Sequence, residues 1–241
     1  MTRFLIEAIL QVSVIAFFAL FLIDRKTRDN YLRILFFALV YVGYQIVLVL
    51  PKISPPLVFI DSRWNWEGKI FGIVFGVICY FIFRKCFKEN DFFTLRQDKE
   101  NFKKSLAVAV IAVLLVTAIA YLTGSSEFNA ETLAFQLTMP ALDEEIMFRG
   151  ILLGLLMTAL RDKVPFLGNP AVILTAILFG FLHALTLEKD YSLDFEPIYF
   201  IHTGLGGFIF GWITMKSRSI LLAVLCHGLA NFFAALVTMI K

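Results

Sequence analysis

Charge is what this sequence has least of. Asp, Glu, Lys and Arg together make up 17% of its 241 residues, against about 25% in an ordinary soluble domain. So few charges cannot cover the surface of a water-soluble enzyme of this size. Cysteine is scarce too. Cys79, Cys86 and Cys226 show no C-x-x-C spacing, which excludes a disulfide framework and a zinc ribbon. The net charge is only +3 and there is no basic tail, so nothing points to a nucleic-acid partner. No internal repeat and no low-complexity segment is present.

What the chain has in quantity is apolar surface. It is 59% hydrophobic, contains 27 Phe, and has a mean hydropathy of +0.81. That excludes a disordered chain and predicts an all-α, polytopic integral membrane protein. Eight apolar runs can be marked, at 4–23, 34–50, 70–83, 105–122, 131–160, 170–187, 198–215 and 219–240. The first is too long for a signal-peptide core and no A-x-A site follows it, so a retained helix is expected. The third is expected to begin nearer Trp64 and Trp66, which suit a membrane interface. The fifth is long; tilt, a kink at Pro140 or a projecting end would account for it. The largest loop, 84–104, holds no separate domain, so function must lie within the bundle. One continuous membrane domain is expected, with N-terminal helices over 1–125 (about four spans) and catalytic helices over 126–241.

Lys and Arg fall unevenly. The loops on one side, at 24–33, 84–104, 161–169 and 216–218, carry 15 of them, and the other side carries 6. The richer side is expected to be cytoplasmic, which places both termini outside. The setting expected is the plasma membrane of a prokaryote.

The fifth run breaks the rule of scarcity. Asp143, Glu144, Glu145 and Arg149 fall within seven residues. A charge at the centre of a spanning helix costs about 2.5–3.5 kcal/mol even on insertion scales, so these four must pair or face a wet cavity. Glu145 and Arg149 are spaced i,i+4 with the acid first, the favourable order for a helical ion pair. Glu144 points about 100° away. It has no basic residue at i+3 or i+4, so it is the carboxylate expected to be free for chemistry.

Three histidines accompany these charges. His183 closes the run Phe179–His183, and His227 shares a helical face with Asn231. His202, beside Gly204, Gly206, Gly207 and Gly211, is expected to be only a hydrogen-bond partner for a neighbouring helix. The glycines permit close helix approach and are expected to draw the eighth span toward the fifth and sixth. Glutamate and histidine together can hold and deprotonate a water, and Asn231 with His227 can donate to an oxyanion. Glu144, His183 and His227 are also the ligand types of a three-ligand zinc site. Spacing does not choose between the two; both suit peptide-bond hydrolysis.

Glu144–Arg149 resembles an E-E-x-x-x-R motif, Phe179–His183 an F-x-x-x-H motif, and His227–Asn231 an H-x-x-x-N motif. In that order these motifs are those of the CPBP intramembrane proteases. That family includes the type II CAAX prenyl endopeptidases and relatives linked to bacteriocin processing and self-immunity. The resemblance covers about residues 136–235. It implies an eight-helix membrane protease with an intramembrane cavity, acting on a peptide or a lipidated protein C-terminus. It assigns Glu144 and His183 to activating water, and His227 and Asn231 to the substrate carbonyl or oxyanion. Glu145, Arg149 and Phe179 take supporting roles. The resemblance allows zinc at Glu144, His183 and His227 as well as a metal-free glutamate mechanism; glutamate-activated water is expected, with zinc left open. Two other functions stay open on the residues alone: a non-catalytic scaffold or immunity protein, and a proton-coupled transporter. The transporter should show an internal repeat, and none is seen.

Overall fold

A computed structural model describes residues 2–241, apart from the side chain of Lys88. The helices are α1 (Thr2–Phe21), α2 (Arg28–Ile53), α3 (Trp66–Phe87), α4 (Phe102–Thr123), α5 (Ala130–Glu145), α6 (Leu153–Ala159), α7 (Pro170–Ala184), α8 (Pro197–Ser217) and α9 (Leu221–Met239). A π-helical turn, Ile146–Leu152, joins α5 to α6 without a break. Six of these helices, α1 to α4, α8 and α9, are long and apolar enough to cross a membrane alone. The α5–α6 unit makes the fifth crossing and the short α7 the sixth. The chain is therefore an all-α polytopic membrane protein, as hydrocarbon requires of any backbone that must satisfy its own hydrogen bonds.

Alternation puts the loops 54–65, 124–129 and 185–196 at one end of the bundle, with both termini. The third of these holds an antiparallel hairpin, β1 (Leu185–Leu187) with β2 (Leu193–Phe195), paired Thr186 to Asp194. This end is the hairpin face. The loops 22–27, 88–101, 160–169 and 218–220 form the opposite, basic face.

Local chemistry sets the helix ends. Asn129 accepts from Thr132 N at the start of α5, and Asn169 from Ala171 N and Val172 N at the start of α7, where Pro170 follows. The end of α7 is braced from α1. Gln11 Nε2 donates to the carbonyls of Phe181 and Leu185, and Tyr41 OH donates to Gln11 Oε1. The Phe181 carbonyl also accepts from Leu185 N, so Gln11 adds a second bond at the helix end. As expected, α3 begins at Trp66; the indole of Trp64 stacks on Phe135 of α5 at 4.8 Å.

One feature was not expected and one expectation is corrected. A π turn follows the carboxylates in the fifth span, and Pro140 lies inside α5. The seventh-span glycines serve α7, with Gly207 against Ala176 and Phe179 and Gly211 against Val172. The eighth span, α9, meets α5 through its own Gly228, whose Cα lies against the Leu137 carbonyl.

A side chain at 228 has no room, because the obstacle is backbone. Gly228→Val is expected to destabilise the protein by about 1–3 kcal/mol through overpacking, read as a lowered Tm in detergent. Gly206→Ala, whose methyl would meet only Phe210 at 3.8 Å, is expected to leave Tm unchanged or raised.

Candidate active site

Three acidic residues in succession on one helix must face three directions. In the last turn of α5, Asp143 and Glu144 share a partner on α3 and Glu145 turns to α9. Asp143 Oδ2 accepts from Tyr44 OH of α2 at 2.6 Å and from Lys69 Nζ of α3 at 2.9 Å. Glu144 Oε1 accepts from the same Lys69 Nζ at 2.7 Å. Among the described residues Glu144 Oε2 has no hydrogen-bond partner, and it lies 3.9 Å from His183 Nε2 of α7. Glu145 Oε1 accepts from His227 Nδ1 of α9 at 2.9 Å, and its Oε2 lies 3.1 Å from Arg149 Nε. That last contact is charge against charge without the alignment of a hydrogen bond. Arg149 Nη2 donates to the Gly207 carbonyl of α8 at 3.1 Å.

Aromatic rings wall the cluster. Arg149 is wholly buried and lies over the rings of Phe179, Phe148 and Phe210, at 4.8, 5.5 and 5.7 Å. An arginine is suited to that place, since a guanidinium is weakly hydrated and attracted to ring faces. Phe179 also packs on His183 at 4.6 Å, and its carbonyl accepts from His183 Nδ1 at 2.8 Å. His183 Nδ1 must then carry the hydrogen, which leaves Nε2 bare in the neutral ring. Phe210 stacks on His227 at 4.8 Å and 16°. Nothing in the sequence pattern singled out Phe210.

The structure thus brings Glu144, Glu145, Arg149, Phe179, His183 and His227 together. Asn231 follows one turn after His227 on α9, half-buried. His202 is exposed on α8 and has no hydrogen-bond partner among the described residues, so the expected role as a partner for a neighbouring helix is not seen. Glu144 differs from expectation in being paired. Its partner stands 75 residues away on another helix, where helical periodicity has no reach. A signal was present: Lys69 is itself a charge at the head of an apolar run, and such a charge needs a partner.

The donor set fits zinc poorly. Among the described residues no three His, Cys, Asp or Glu side chains converge as ligands. The carboxylate that would lead such a site already holds an ammonium ion on one oxygen.

Removing one partner of a buried ion pair costs about 3–5 kcal/mol, because it leaves the other charge uncompensated. Lys69→Met is expected to lower stability by that order, measured by thermal unfolding in detergent. Adding Asp143→Asn removes one of the stranded charges and is expected to recover much of the loss.

Comparison with known proteins follows the same lines. Comparing the whole chain with curated proteins and with solved structures gives no match. A protein-family comparison matches residues 106–233 to the type II CAAX prenyl endopeptidase, Rce1-like family. That stretch runs from α4 to α9 and contains every acid, arginine and histidine of the cluster, while Lys69 lies outside it. With more than half of the 241 residues matched, the chain belongs to the Rce1-like family of type II CAAX prenyl endopeptidases.

Proposed function

We propose that the protein is an endopeptidase that hydrolyses a peptide bond within the membrane, using water activated by Glu144 and His183. The observation that carries this reading is the facing pair of acceptors, Glu144 Oε2 and His183 Nε2, 3.9 Å apart on separate helices. A water between them donates one hydrogen to each and turns a lone pair outward, toward a substrate carbonyl carbon. On attack the water oxygen bonds to that carbon, one of its protons passes to the carboxylate, and the carbonyl oxygen becomes an oxyanion. His227 and Asn231 receive that oxyanion. With Nδ1–H held by Glu145, His227 donates through Nε2 when its ring carries both protons, and Glu145 stands as the counter-charge. Breaking the C–N bond returns the proton from Glu144 to the leaving amine. The remaining proton of the new carboxyl group passes to the amine, so the products are a carboxylate and an ammonium, and Glu144 is ready for the next water.

The other residues have supporting parts. Lys69 fixes one oxygen of Glu144 so that the other is aimed at His183. Arg149 and Phe179 hold Glu145 and the two imidazoles in place. The division at 125 is read as functional: residues 126–241 carry the chemistry and residues 1–125 frame it, with Lys69 reaching across. The chain is read as a plasma-membrane protein of a prokaryote with both termini outside. Its substrate is a peptide or a lipidated protein C-terminus.

Glu144→Gln keeps an oxygen for Lys69 and removes the base. It is expected to leave a folded, inserted protein and to lower cleavage at least about a hundredfold, in the range for a lost general base. The measurement is a comparison of terminal peptides in membrane proteomes of cells carrying wild-type protein, Glu144→Gln, or none. Wild-type cleavage products in the Glu144→Gln cells would remove Glu144 from the role. Purified protein is further expected to stay active on such a peptide after exhaustive chelation; loss of activity that returns on adding zinc would reinstate a metal.

A further inference from the structure

We propose that the protein holds an anionic phospholipid on its basic face, with the phosphate of the headgroup in a crevice at the head of α4. This goes beyond the endopeptidase reading and does not rest on it.

The crevice has a volume of about 320 Å³ and is lined by Gln97, Lys99, Phe102 and Lys103. The loop that forms it is tied to the end of α8 and the start of α9. Asp98 N donates to the Ser217 carbonyl and Ile220 N to the Phe92 carbonyl. The Ser219 hydroxyl donates to the Thr94 carbonyl. The lining is therefore held in place before any ligand arrives.

Positive charge in the crevice is unanswered. Lys99 and Lys103 make no ion pair among the described residues. Helix α4 has no acid in its first turn and no side-chain hydrogen bond at its N-cap. Its first N–H groups and the positive end of its dipole thus stand beside the lysines. Cations are unfavourable at that end of a helix, and an anion is favoured there. Two acids lie in the same segment, and neither lines the crevice. Asp98 accepts from Asn101 Nδ2 and from Glu100 N, and Glu100 is exposed.

Gln97 adds an independent observation. Its Oε1 and Nε2 are both buried, and neither has a hydrogen-bond partner among the described residues. An enclosed amide left unbonded is costly. A phosphodiester with a hydroxyl-bearing headgroup matches it, since phosphate oxygens accept from Nε2 and the hydroxyl donates to Oε1.

The setting selects a lipid over a free phosphate. Helix α4 is the span least covered by protein, with 6% of its apolar window buried. Phe102, Leu106, Val110 and Leu114 recur every fourth residue along it, and all four are exposed. They make an apolar track that starts in the crevice and runs down the helix into hydrocarbon. A soluble phosphate would use the crevice alone, whereas a phospholipid uses both crevice and track.

The test reads lipid binding and not cleavage. Purified full-length protein in neutral detergent is titrated with phosphatidylglycerol or with phosphatidylcholine of the same acyl chains, and the lipid-bound fraction is read by native mass spectrometry. One phosphatidylglycerol is expected to bind in preference. Each of Lys99→Gln and Lys103→Gln is expected to weaken it about fivefold, and the pair together about twenty-fivefold, as for basic side chains near anionic lipid. Lys26→Gln with Lys163→Gln removes the same charge from other loops of the same face and is expected to leave the preference unchanged. Gln97→Leu is expected to narrow it with no change of charge. Equal binding of the two lipids by the wild-type chain overturns the proposal, as does an equal loss in the Lys26 and Lys163 double variant. An unchanged preference in Gln97→Leu overturns the crevice as the seat of the headgroup. Displacement of the lipid by inorganic phosphate at equal concentration overturns the lipid in favour of a soluble phosphate.

Discussion

Two carboxylates on one helix lean on a single ammonium ion from another, and the rest of the bundle is arranged around that contact. Lys69 holds Asp143 and Glu144 together at 2.9 and 2.7 Å. In hydrocarbon an unanswered charge is costly, and a pair helps only where geometry is close and the remaining valences are satisfied. Closeness is provided by α3 itself. Gly68, Gly72 and Gly76 recur every fourth residue on one of its faces, against Leu48 and Asn65, Asp143 and Ile146 respectively. A methyl at Gly72 would stand where the Asp143 carboxylate lies. This is the small-residue packing by which membrane helices bring backbones together. Here it brings a lysine within reach of two acids. Tyr44 of α2 then satisfies Asp143 further, so three helices are fixed in register by one buried network.

Neighbouring glutamates are put to different uses by their surroundings. Glu145 has a histidine on one oxygen and an arginine against the other, and its side chain is fully enclosed. It orients His227 and neutralises Arg149. Glu144 has one oxygen held by Lys69 and one left facing His183. Three carboxylates share two permanent cations, Lys69 and Arg149. One negative charge is thus left for imidazole or water to answer, and it is the one on the open side of the network. A base in this position is rigid on its held oxygen and unencumbered on the other, as positioned proton transfer requires.

Most of the architecture was legible in hydropathy because a membrane imposes a single rule on every span. The long helices follow it: the runs at 4–23, 105–122 and 198–215 fall within a few residues of α1, α4 and α8. The residues of the buried polar cluster could be picked out for the complementary reason, that Glu144, Glu145, Arg149, His183 and His227 break the rule. What could not be read was pairing. The i,i+4 contact of Glu145 with Arg149 was visible in spacing and is present. The contacts of Glu144 with Lys69 and of Glu145 with His227 join residues 75 and 82 apart, and only packing decides them. The π turn was equally hidden, since an apolar stretch has the same composition whichever hydrogen-bond ladder it follows.

That turn bears on the rigidity of the carboxylate cluster. Widening a helix to i→i+5 bonding loosens its ladder, and such turns cluster at functional sites because they redirect side chains. In the middle of a membrane the looseness has to be clamped. All seven residues of Ile146–Leu152 are buried, and Arg149 ties the turn to the Gly207 carbonyl of α8. The clamp sits on the basic-face side of the carboxylates, one turn beyond them. Rigidity at the carboxylates therefore follows from where the irregular turn is placed and how it is tied to α8.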